Sequence, residues 1–223
     1  MTAAIGAVPF WSPVEVEAAI PATIAHLEAH RVIAYPTETV YGLGSAIDTA
    51  SVDALLALKR RPRGKPFLVL VASSAMIERL GLSLTRAASV LAARFWPGPL
   101  TLVLPGGERR VPDALRGPEG GIAVRWTPHA GMQRLIAAYG DAITSTSANQ
   151  PGDPPAANAS QIVEHWAGAV ADGRLRVLDA GTLAPSAPST VVDCTARAPR
   201  VVRPGAIPSS TLRVAVPDLV GDR

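Results

Sequence analysis

Short apolar segments that stop at proline or glycine alternate with amphipathic segments along most of the chain. The segments "RVIAYPT", "PFLVLVA" and "GIAVRW" have the length and composition of buried strands. Between the first two, "TASVDALLALKRR" has the apolar spacing that is typical of an amphipathic helix. Because strands and helices mingle in this way throughout, the pattern predicts an α/β fold with a mixed sheet around one core.

Local signals place several element boundaries. The segment "IPATIAHLEAH" is predicted to be a helix that Pro21 opens in its first turn. Thr127 is expected to cap a helix that has Pro128 at its first position and Gly140 just past its end. A strand is expected at 100–104, and three more in "LRVLDAG", "STVVDCT" and "PRVVRPG". These elements extend the mixed sheet into the last third of the chain.

The composition sets the class of protein. The chain has 223 residues, 48% of them hydrophobic, and a mean hydropathy of +0.23, so it can bury a core and disorder is not expected. One domain over 1–223 is predicted, with a core at about 14–207 and a flexible tail at 208–223. No apolar run approaches the ~18 residues of a membrane helix, and the start lacks a signal-peptide pattern. A cytoplasmic protein that does not bind membranes is expected.

The positive charge is concentrated in one short segment, "LKRRPRGKP". The chain has 21 Lys and Arg against 18 Asp and Glu, a net charge of +3. The window 59–65 holds five of these cations, and without it 16 cations face 18 acids, a net charge of −2. A nucleic-acid surface spreads its cations over many phosphates, whereas one dense cluster suits a compact polyanion such as a nucleotide triphosphate. A solvated basic loop is the alternative.

Polar clusters also follow several predicted strands. In "YPTETVYGLG", Thr37 and Thr39 offer hydroxyls, and Gly42 and Gly44 would let the backbone approach a ligand, although an ordinary strand–loop turn is the simpler interpretation. In "STSAN", residues 145–149 can bond a ribose, a phosphate or an amino-acid backbone, or can form a common turn. Such positions are where open α/β sheets usually bind ligands.

Arg125, Ser189, Thr190 and Arg203 form a further group of candidates. Arg125 closes the strand "GIAVR", where a cation among apolar residues needs an anionic partner. That partner is either a ligand or, equally well, one of the protein's own acids in an internal salt bridge. The residues do not decide between the two.

The chain lacks the recurrent catalytic motifs. It contains no GxxxxGK[ST], GxGxxG, HExxH or GxSxG segment. Cys194, the only cysteine, excludes an intramolecular disulfide and is expected to be packed in a strand. Binding and positioning, the style of catalysis suited to transfer at phosphorus, are therefore predicted instead of a covalent nucleophile.

Seven segments together resemble the YrdC/Sua5 family, the L-threonylcarbamoyladenylate synthases. In the family's order they are "YPTETVYGLG", "LKRRPRGKP", "FWPGPLTLVLP", "AVR", "STSAN", "STVVD" and "RPGAI". The resemblance runs from about Arg31 to Ile207 and is to the shorter, single-domain YrdC form. It implies a twisted mixed sheet with flanking helices around a large basic cavity.

The resemblance also implies a reaction, in which L-threonine, bicarbonate and ATP give threonylcarbamoyl-AMP and diphosphate. The product would pass to a tRNA threonylcarbamoyl transferase for N6-threonylcarbamoyladenosine formation, and a weak contact with tRNA is also expected. Because no cluster of carboxylates or histidines suggests a metal site in the protein, Mg²⁺ is expected to enter with ATP, held by phosphate oxygens and water.

Two sets of site residues follow from the resemblance. The ATP set is Lys59, Arg61, Lys65, Ser147, Asn149 and Arg203, of which Lys59 and Arg61 would also be catalytic. The threonine set is Thr37, Arg125, Ser145 and Ser189, with Arg125 pairing with the substrate carboxylate. Arg60 and Arg63 are expected to face solvent.

The chain departs from the family in two loops that are expected to close over ligand. It has "QPGDPP" after "STSAN", where many members have Leu-Ser-Gly, and "APSAP" before "STVVD", where a glycine turn is common. Two other functions are considered, an RNA-binding module and a carbamoyl-transfer domain of related fold. The net charge of −2 outside the cationic window is unfavourable for a broad RNA surface. The acylphosphatase and zinc-finger domains that usually accompany carbamoyl-transfer domains are not visible in the sequence.

Overall fold

A ten-stranded sheet runs through the part of the chain that the computed structural model describes, residues 4–62 and 64–221. The strands are β1 (Ala7–Pro9), β2 (Val32–Tyr35), β3 (Gly42–Gly44), β4 (Leu68–Val71), β5 (Leu100–Leu104), β6 (Ile122–Trp126), β7 (Ile143–Ser147), β8 (Leu175–Asp179), β9 (Thr190–Asp193) and β10 (Arg200–Arg203). The helices are α1 (Pro13–Glu28), α2 (Thr49–Lys59), α3 (Ser74–Arg79), α4 (Arg86–Phe95), α5 (Ala130–Tyr139), α6 (Ala159–His165), α7 (Ala167–Ala171) and α8 (Ser209–Ala215), with a 3₁₀ turn at Asp113–Leu115.

The sheet is mixed. Its strands lie in the order β1-β8-β2-β3-β7-β4-β6-β5-β9-β10. β8 is parallel to both β1 and β2, β4 is parallel to β6, and β5 is parallel to β9, whereas the other neighbouring pairs are antiparallel. The predicted α/β fold with a mixed sheet and flanking helices is therefore confirmed.

The centre of the sheet is buried on both faces. All four residues of β2 are buried, and Leu100, Leu102 and Leu104 of β5 are fully covered. α1 packs against β2 and α5, and α4 packs against β5 and α8. Strands covered on both sides have no solvent face to mark with polar residues, which explains why their sequences are nearly continuous apolar runs.

The first helix begins earlier than the sequence analysis predicted. α1 starts at Pro13, and Ser12 and Glu15 form a capping box, in which each side chain accepts from the other residue's backbone N–H. Pro21 lies inside this helix, on its exposed side, so the prediction that Pro21 opens a helix is wrong. The Ser-x-x-Glu signal satisfies two end N–H groups at once and determines the start.

The cap of α5 also differs from the prediction. His129 caps the helix, because its Nδ1 accepts from the backbone N–H of Met132 at 3.3 Å. Thr127 lies two residues earlier, and its hydroxyl donates to Glu38 Oε2 at 2.8 Å. Gly140 ends the helix in the left-handed conformation, as expected.

The C-terminal helix of the described chain packs on helix α4. Helix α8 contacts α4, and its Leu212 is fully buried. The flexibility expected for residues 208–223 stays a prediction, and residues 222 and 223 lie outside the described residues. Within 4–62 and 64–221, no helix combines the length and the hydropathy that a membrane span requires.

Candidate functional site

A cavity of about 710 Å³ lies over one face of the sheet. Its floor contains a row of cross-strand neighbours, Val191 on β9, Thr101 on β5 and Arg125 on β6. Leu68 on β4 and Ser145 on β7 form a second such pair. Ser145 therefore lies within a strand, not in a loop after it as the sequence analysis expected, and the site is built on rigid sheet.

The predicted site residues fall into two groups. Those that line the cavity are Thr37, Arg61, Arg125, Ser145, Ser147, Ser189 and Arg203. Those that do not belong to the described lining are Lys59, Lys65 and Asn149. The charged residues of the described lining are Arg61, Arg125 and Arg203, which suits an anionic ligand.

Lys59 does not line the cavity and joins the end of α2 to the end of β7 and to Asn149. It is 3% exposed, and its Nζ donates to the carbonyl oxygen of Ser147, to that of Asn149 at 2.9 Å and to Asn149 Oδ1 at 2.8 Å. Ser147 Oγ donates to the same Oδ1 at 2.6 Å. Burial, and secondarily the charge of Arg61, lowers the pKa of Lys59 to about 8. Three members of the predicted ATP set are thus bonded to one another, and of these Ser147 lines the cavity.

Arg61 is the cation of the 59–65 window that reaches the cavity. Its Nε donates to the carbonyl oxygen of Lys65 at 2.9 Å and its Nη2 to that of Pro66 at 3.2 Å. The guanidinium carbon lies 5.1 Å from the centroid of the Phe67 ring, within cation–π range. Burial lowers the pKa of Arg61, but a guanidinium remains charged in proteins. The contacts hold one permanent positive charge at the cavity wall.

The other cations of the window are dispersed. Lys65 is exposed and contributes only its backbone oxygen to the contacts of Arg61. Arg60 is exposed at the end of α2, as expected, and Arg63 lies outside the described residues. Of the described cations of the window, Arg61 therefore lines the cavity, whereas Arg60 and Lys65 are exposed.

Thr37 organises the turn after β2. Its Oγ1 accepts from the backbone N–H groups of Thr39 at 3.1 Å and Val40 at 3.2 Å, and donates to the carbonyl oxygen of Val40 at 2.7 Å. The residue is 4% exposed and borders the cavity. Its hydroxyl is committed to the loop, so Thr37 offers a ligand a fixed surface and an already bonded oxygen.

Gly42 and Gly44 serve packing. Both lie in β3, where a Cβ on Gly44 would stand 2.1 Å from the carbonyl oxygen of Thr144 and 2.9 Å from the Tyr35 ring. A Cβ on Gly42 would stand 3.0 Å from the same ring. The expectation that this glycine pair admits a ligand to the backbone is therefore wrong for Gly44. Gly42 does border the cavity.

Arg125 has an internal anionic partner, one of the two alternatives that the sequence left open. Its Nη2 donates to Glu38 Oε1, and both Nη1 and Nη2 lie 3.3 Å from Thr39 Oγ1. Its Nε donates to the carbonyl oxygen of Gly98 at 3.3 Å. Arg125 is 5% exposed and still borders the cavity. Glu38 belongs to the "PTET" segment, and sequence reasoning did not select it.

Arg203 and Ser189 form a second polar group at the cavity. Arg203 Nη2 donates to the carbonyl oxygen of Ser189 at 2.8 Å and to its Oγ at 3.1 Å. Ser189 Oγ lies 2.8 Å from Thr101 Oγ1, which is also in the lining. Sequence reasoning missed Thr101, although a threonine inside the apolar strand "LTLVL" was an available signal. The three side chains link β5, the residue before β9, and β10 at the cavity floor.

The roof of the cavity is a proline-rich loop. Residues 182–189 contribute several lining residues, and Ser186 Oγ ties the loop to the carbonyl oxygen of Thr39 at 2.6 Å. Tyr41 OH donates to the carbonyl oxygen of Gly181 at 2.8 Å, at the start of this loop. Both contacts join the roof to the "PTETVY" segment, so the same short segment borders the floor and holds the roof.

The structure offers little for covalent or metal chemistry. Cys194 is 1% exposed, and burial raises the pKa of its thiol to about 12, so it is packed and unreactive at neutral pH. Across 4–62 and 64–221, no group of three or more His, Cys, Asp or Glu side chains is placed to hold a metal ion. The described site can hold anions and order hydroxyl-bearing ligands.

Comparison with known proteins places this architecture in a family. The family model Sua5_yciO_yrdC, described as telomere recombination, matches residues 25–205. A threonylcarbamoyl-AMP synthase of Pyrococcus abyssi is 35% identical over 190 residues, which cover 85% of this chain and 54% of the relative. A putative threonylcarbamoyl-AMP synthase of Mycobacterium tuberculosis is 38% identical over 200 residues, 88% of this chain and 87% of the relative.

A solved structure agrees with the sequence relatives. The crystal structure of P. abyssi Sua5 complexed with L-threonine superposes with a TM-score of 0.84 at 30% identity, covering 96% of this chain and 62% of that one. The chain thus spans little more than half the length of the P. abyssi relatives that it matches.

Proposed function

Because the chain belongs to the Sua5/YciO/YrdC family, we propose that it is an L-threonylcarbamoyladenylate synthase. The enzyme converts L-threonine, bicarbonate and ATP to threonylcarbamoyl-AMP and diphosphate. The observation that carries the proposal is the likeness, at 30% identity and over 96% of this chain, to a structure that binds L-threonine. The cavity is consistent with this function because its described lining carries three arginines together with several hydroxyl groups.

The chemistry proceeds in two steps. The threonine amine first takes up CO₂, supplied by bicarbonate with loss of water, and becomes a carbamate once a proton has left the nitrogen. A carbamate oxygen then attacks the α-phosphorus of ATP, and the bond to the β-phosphate breaks with loss of diphosphate. Neither step needs a protein nucleophile. The protein must hold two anions close together against their repulsion, and preorganised positive charge does this well.

The cations at the cavity are assigned to the two substrates. Arg61 is proposed to hold the triphosphate, and its contacts with backbone oxygens and with the Phe67 ring at the cavity wall support this role. Lys59 supports the nucleotide site by holding Ser147 and Asn149 in place. Arg203 is assigned to the nucleotide as well, and Lys65, which is exposed, would join only after moving inward.

The threonine set lies around the cavity floor. Arg125 is proposed to bind the substrate carboxylate, with Ser145 and Ser189 close to the same floor. Thr37 shapes the adjoining turn and presents an oxygen that already bonds the backbone. Hydroxyl groups at these positions can bond the threonine hydroxyl, and the apolar roof can take its methyl group.

Mg²⁺ is proposed to arrive with ATP. The reason is chemical: the described lining offers no carboxylate, and Mg²⁺ prefers oxygen ligands that phosphates and water can supply. Calorimetric titration of the purified protein with Mg²⁺ alone is expected to give no binding in the micromolar range, whereas Mg²⁺ with ATP should bind. Tight binding of Mg²⁺ without nucleotide would contradict the proposal.

The product is proposed to pass to a tRNA threonylcarbamoyl transferase in the cytoplasm. A mixed carbamoyl–phosphoric anhydride is readily hydrolysed, so the acceptor enzyme must receive it soon after release. A weak contact with tRNA is part of this proposal.

The direct test is turnover by the purified protein. With ATP, Mg²⁺, bicarbonate and L-threonine, we expect diphosphate release and an adenylate product of the expected mass. L-Serine, which lacks the methyl group, should be a poorer substrate by about 10- to 100-fold. L-2-Aminobutyrate, which lacks the hydroxyl, should be poorer still, because it leaves polar groups in the site unpaired.

Two outcomes would decide against this assignment. Absence of diphosphate release with all three amino acids would contradict the proposed enzymatic function. Salt-dependent tRNA binding without turnover would favour an RNA-binding module. Equal rates with the three amino acids would leave the activity standing but would contradict the roles of Thr37 and Ser145 in side-chain recognition.

A further inference from the structure

Glu38 forms an ion pair with Arg125, the arginine that is proposed to bind the carboxylate of the substrate. Glu38 Oε1 accepts from Arg125 Nη2, and Glu38 Oε2 accepts from Thr127 Oγ1 at 2.8 Å. The Arg125 side chain is 6% exposed and that of Glu38 is 22% exposed. Thr127 Oγ1 in turn accepts from the backbone N–H of His129 at 3.2 Å, which connects the pair to the start of α5. Both oxygens of Glu38 are therefore held, and the pair is preorganised.

The guanidinium of Arg125 is nearly saturated by the protein. Its bonds to Gly98, Thr39 and Glu38 use four of the five N–H groups that an arginine offers. The remaining N–H is on Nη1. Arg125 borders the cavity, so this N–H is the one available to a ligand without any rearrangement.

The charges at this end of the cavity partly offset one another, because two arginines face one carboxylate. Burial lowers the pKa of Arg203, and the positive charge of the nearby Arg125 lowers it further. The negative charge of Glu38 offsets the positive charge of one of the two arginines. A substrate carboxylate that binds to Arg125 meets attraction from the arginines and repulsion from Glu38, and both are strong because the pair is poorly exposed to water.

We propose that Glu38 is a positioning residue with two linked effects: it fixes the Arg125 guanidinium toward the cavity, and its negative charge weakens binding of the substrate carboxylate. The inference rests on the proposed assignment of Arg125 to the carboxylate of threonine. The hydrogen bonds of Glu38 position the arginine, whereas its charge sets the affinity for threonine. Substrate therefore binds reversibly, and the product, which carries the same carboxylate, can leave.

The test separates the charge of Glu38 from its hydrogen bonds. Glu38→Gln keeps the shape and an oxygen that accepts from Arg125, and removes the charge. We expect calorimetry on the full chain to show about tenfold tighter binding of L-threonine, because a like charge next to the ligand carboxylate has been removed. In the adenylate assay, KM for threonine should fall while kcat does not rise. A purely structural role would move neither value in this direction.

Two controls accompany this variant. Glu17→Gln breaks the Arg134–Glu17 pair, which is also an arginine–glutamate pair but is exposed on the surface, and should leave threonine affinity unchanged. L-Threoninamide, which has no carboxylate, should bind to Glu38→Gln no more tightly than to the wild type. Tighter binding of the amide as well would contradict the proposal, since the effect would not act through the carboxylate.

A second variant tests the inference in case Glu38→Gln does not fold. Glu38→Asp keeps the charge but shortens the side chain, so it loses positioning contacts without removing the repulsion and should bind threonine no more tightly than the wild type. Unchanged or weaker threonine binding by a folded Glu38→Gln, or tighter binding by Glu38→Asp, would overturn the inference. Failure of the wild type to bind threonine would overturn the proposed function itself, so the two failures are distinguishable.

Discussion

Replacement of Arg61 by alanine is expected to weaken ATP binding by about 10- to 100-fold and to change threonine binding little. A charge-assisted hydrogen bond to phosphate contributes about 1.5–3 kcal/mol, which corresponds to this range. Arg61 is the described cation of the 59–65 window that lines the cavity, and backbone oxygens hold it there. Calorimetric titration with a nonhydrolysable ATP analogue measures the effect, and Arg60→Ala, which removes an exposed neighbouring cation, is the matched control.

Lys59→Ala should weaken ATP binding to a similar extent by a different route. Its ammonium donates three hydrogen bonds, one to Ser147 at the end of β7 and two to Asn149. The alanine variant loses all three. The pKa of Lys59 is lowered to about 8, so the ammonium is present below this pH and is lost as the pH rises through it. Wild-type affinity for ATP should therefore fall between pH 7 and pH 9, whereas Lys59→Arg, which stays charged, should show a flatter profile. Unchanged ATP affinity in both alanine variants would refute the triphosphate assignment.

Gly44→Ala is expected to destabilise the fold by about 3 kcal/mol, at the upper end of the usual range for overpacking a core. The added Cβ would stand 2.1 Å from the carbonyl oxygen of Thr144, a backbone atom of the neighbouring strand β7. The Tyr35 ring, 2.9 Å away, is fully buried and closes the other side. Neither neighbour can move without separating strands at the centre of the sheet.

Chemical denaturation of Gly44→Ala and of the wild type measures this difference. Gly168→Ala is the control, because a Cβ at Gly168 meets no atom within 4 Å and the residue lies in helix α7, where alanine is favoured over glycine. Gly168→Ala should be neutral or slightly stabilising. Equal free energies of unfolding for Gly44→Ala and the wild type would show that β3 and β7 are not packed this closely.

Most strands were predictable because their sequences carry the signal within a few residues. The segments that became β4, β5 and β6 are nearly continuous apolar runs, and a segment of that kind has few alternatives to a buried strand. Strand β3 was not predicted, because "GLG" has neither apolar length nor alternation. Its glycines are explained only by the Tyr35 ring and the β7 backbone beside them.

The site residues likewise divide into those that the sequence predicted and one that it did not. The sequence marked Arg61, Ser145, Ser189 and Arg203 as candidates, and the fold brings all four to one cavity. Thr101 was missed, because one hydroxyl in an apolar strand is a weak signal until the sheet places it next to Ser189.

By itself, the sequence determined the fold class, the family resemblance and the chemical types available for the site, since these depend on composition and on patterns within short segments. The tertiary structure decided which charges meet. Arg125 and Glu38 are 87 residues apart, and Lys59 is about as far from Ser147, so no local pattern could pair them. Electrostatic and hydrogen-bonding interactions depend on distance in space and on burial, and both are set only when the sheet order β7-β4-β6-β5 is formed.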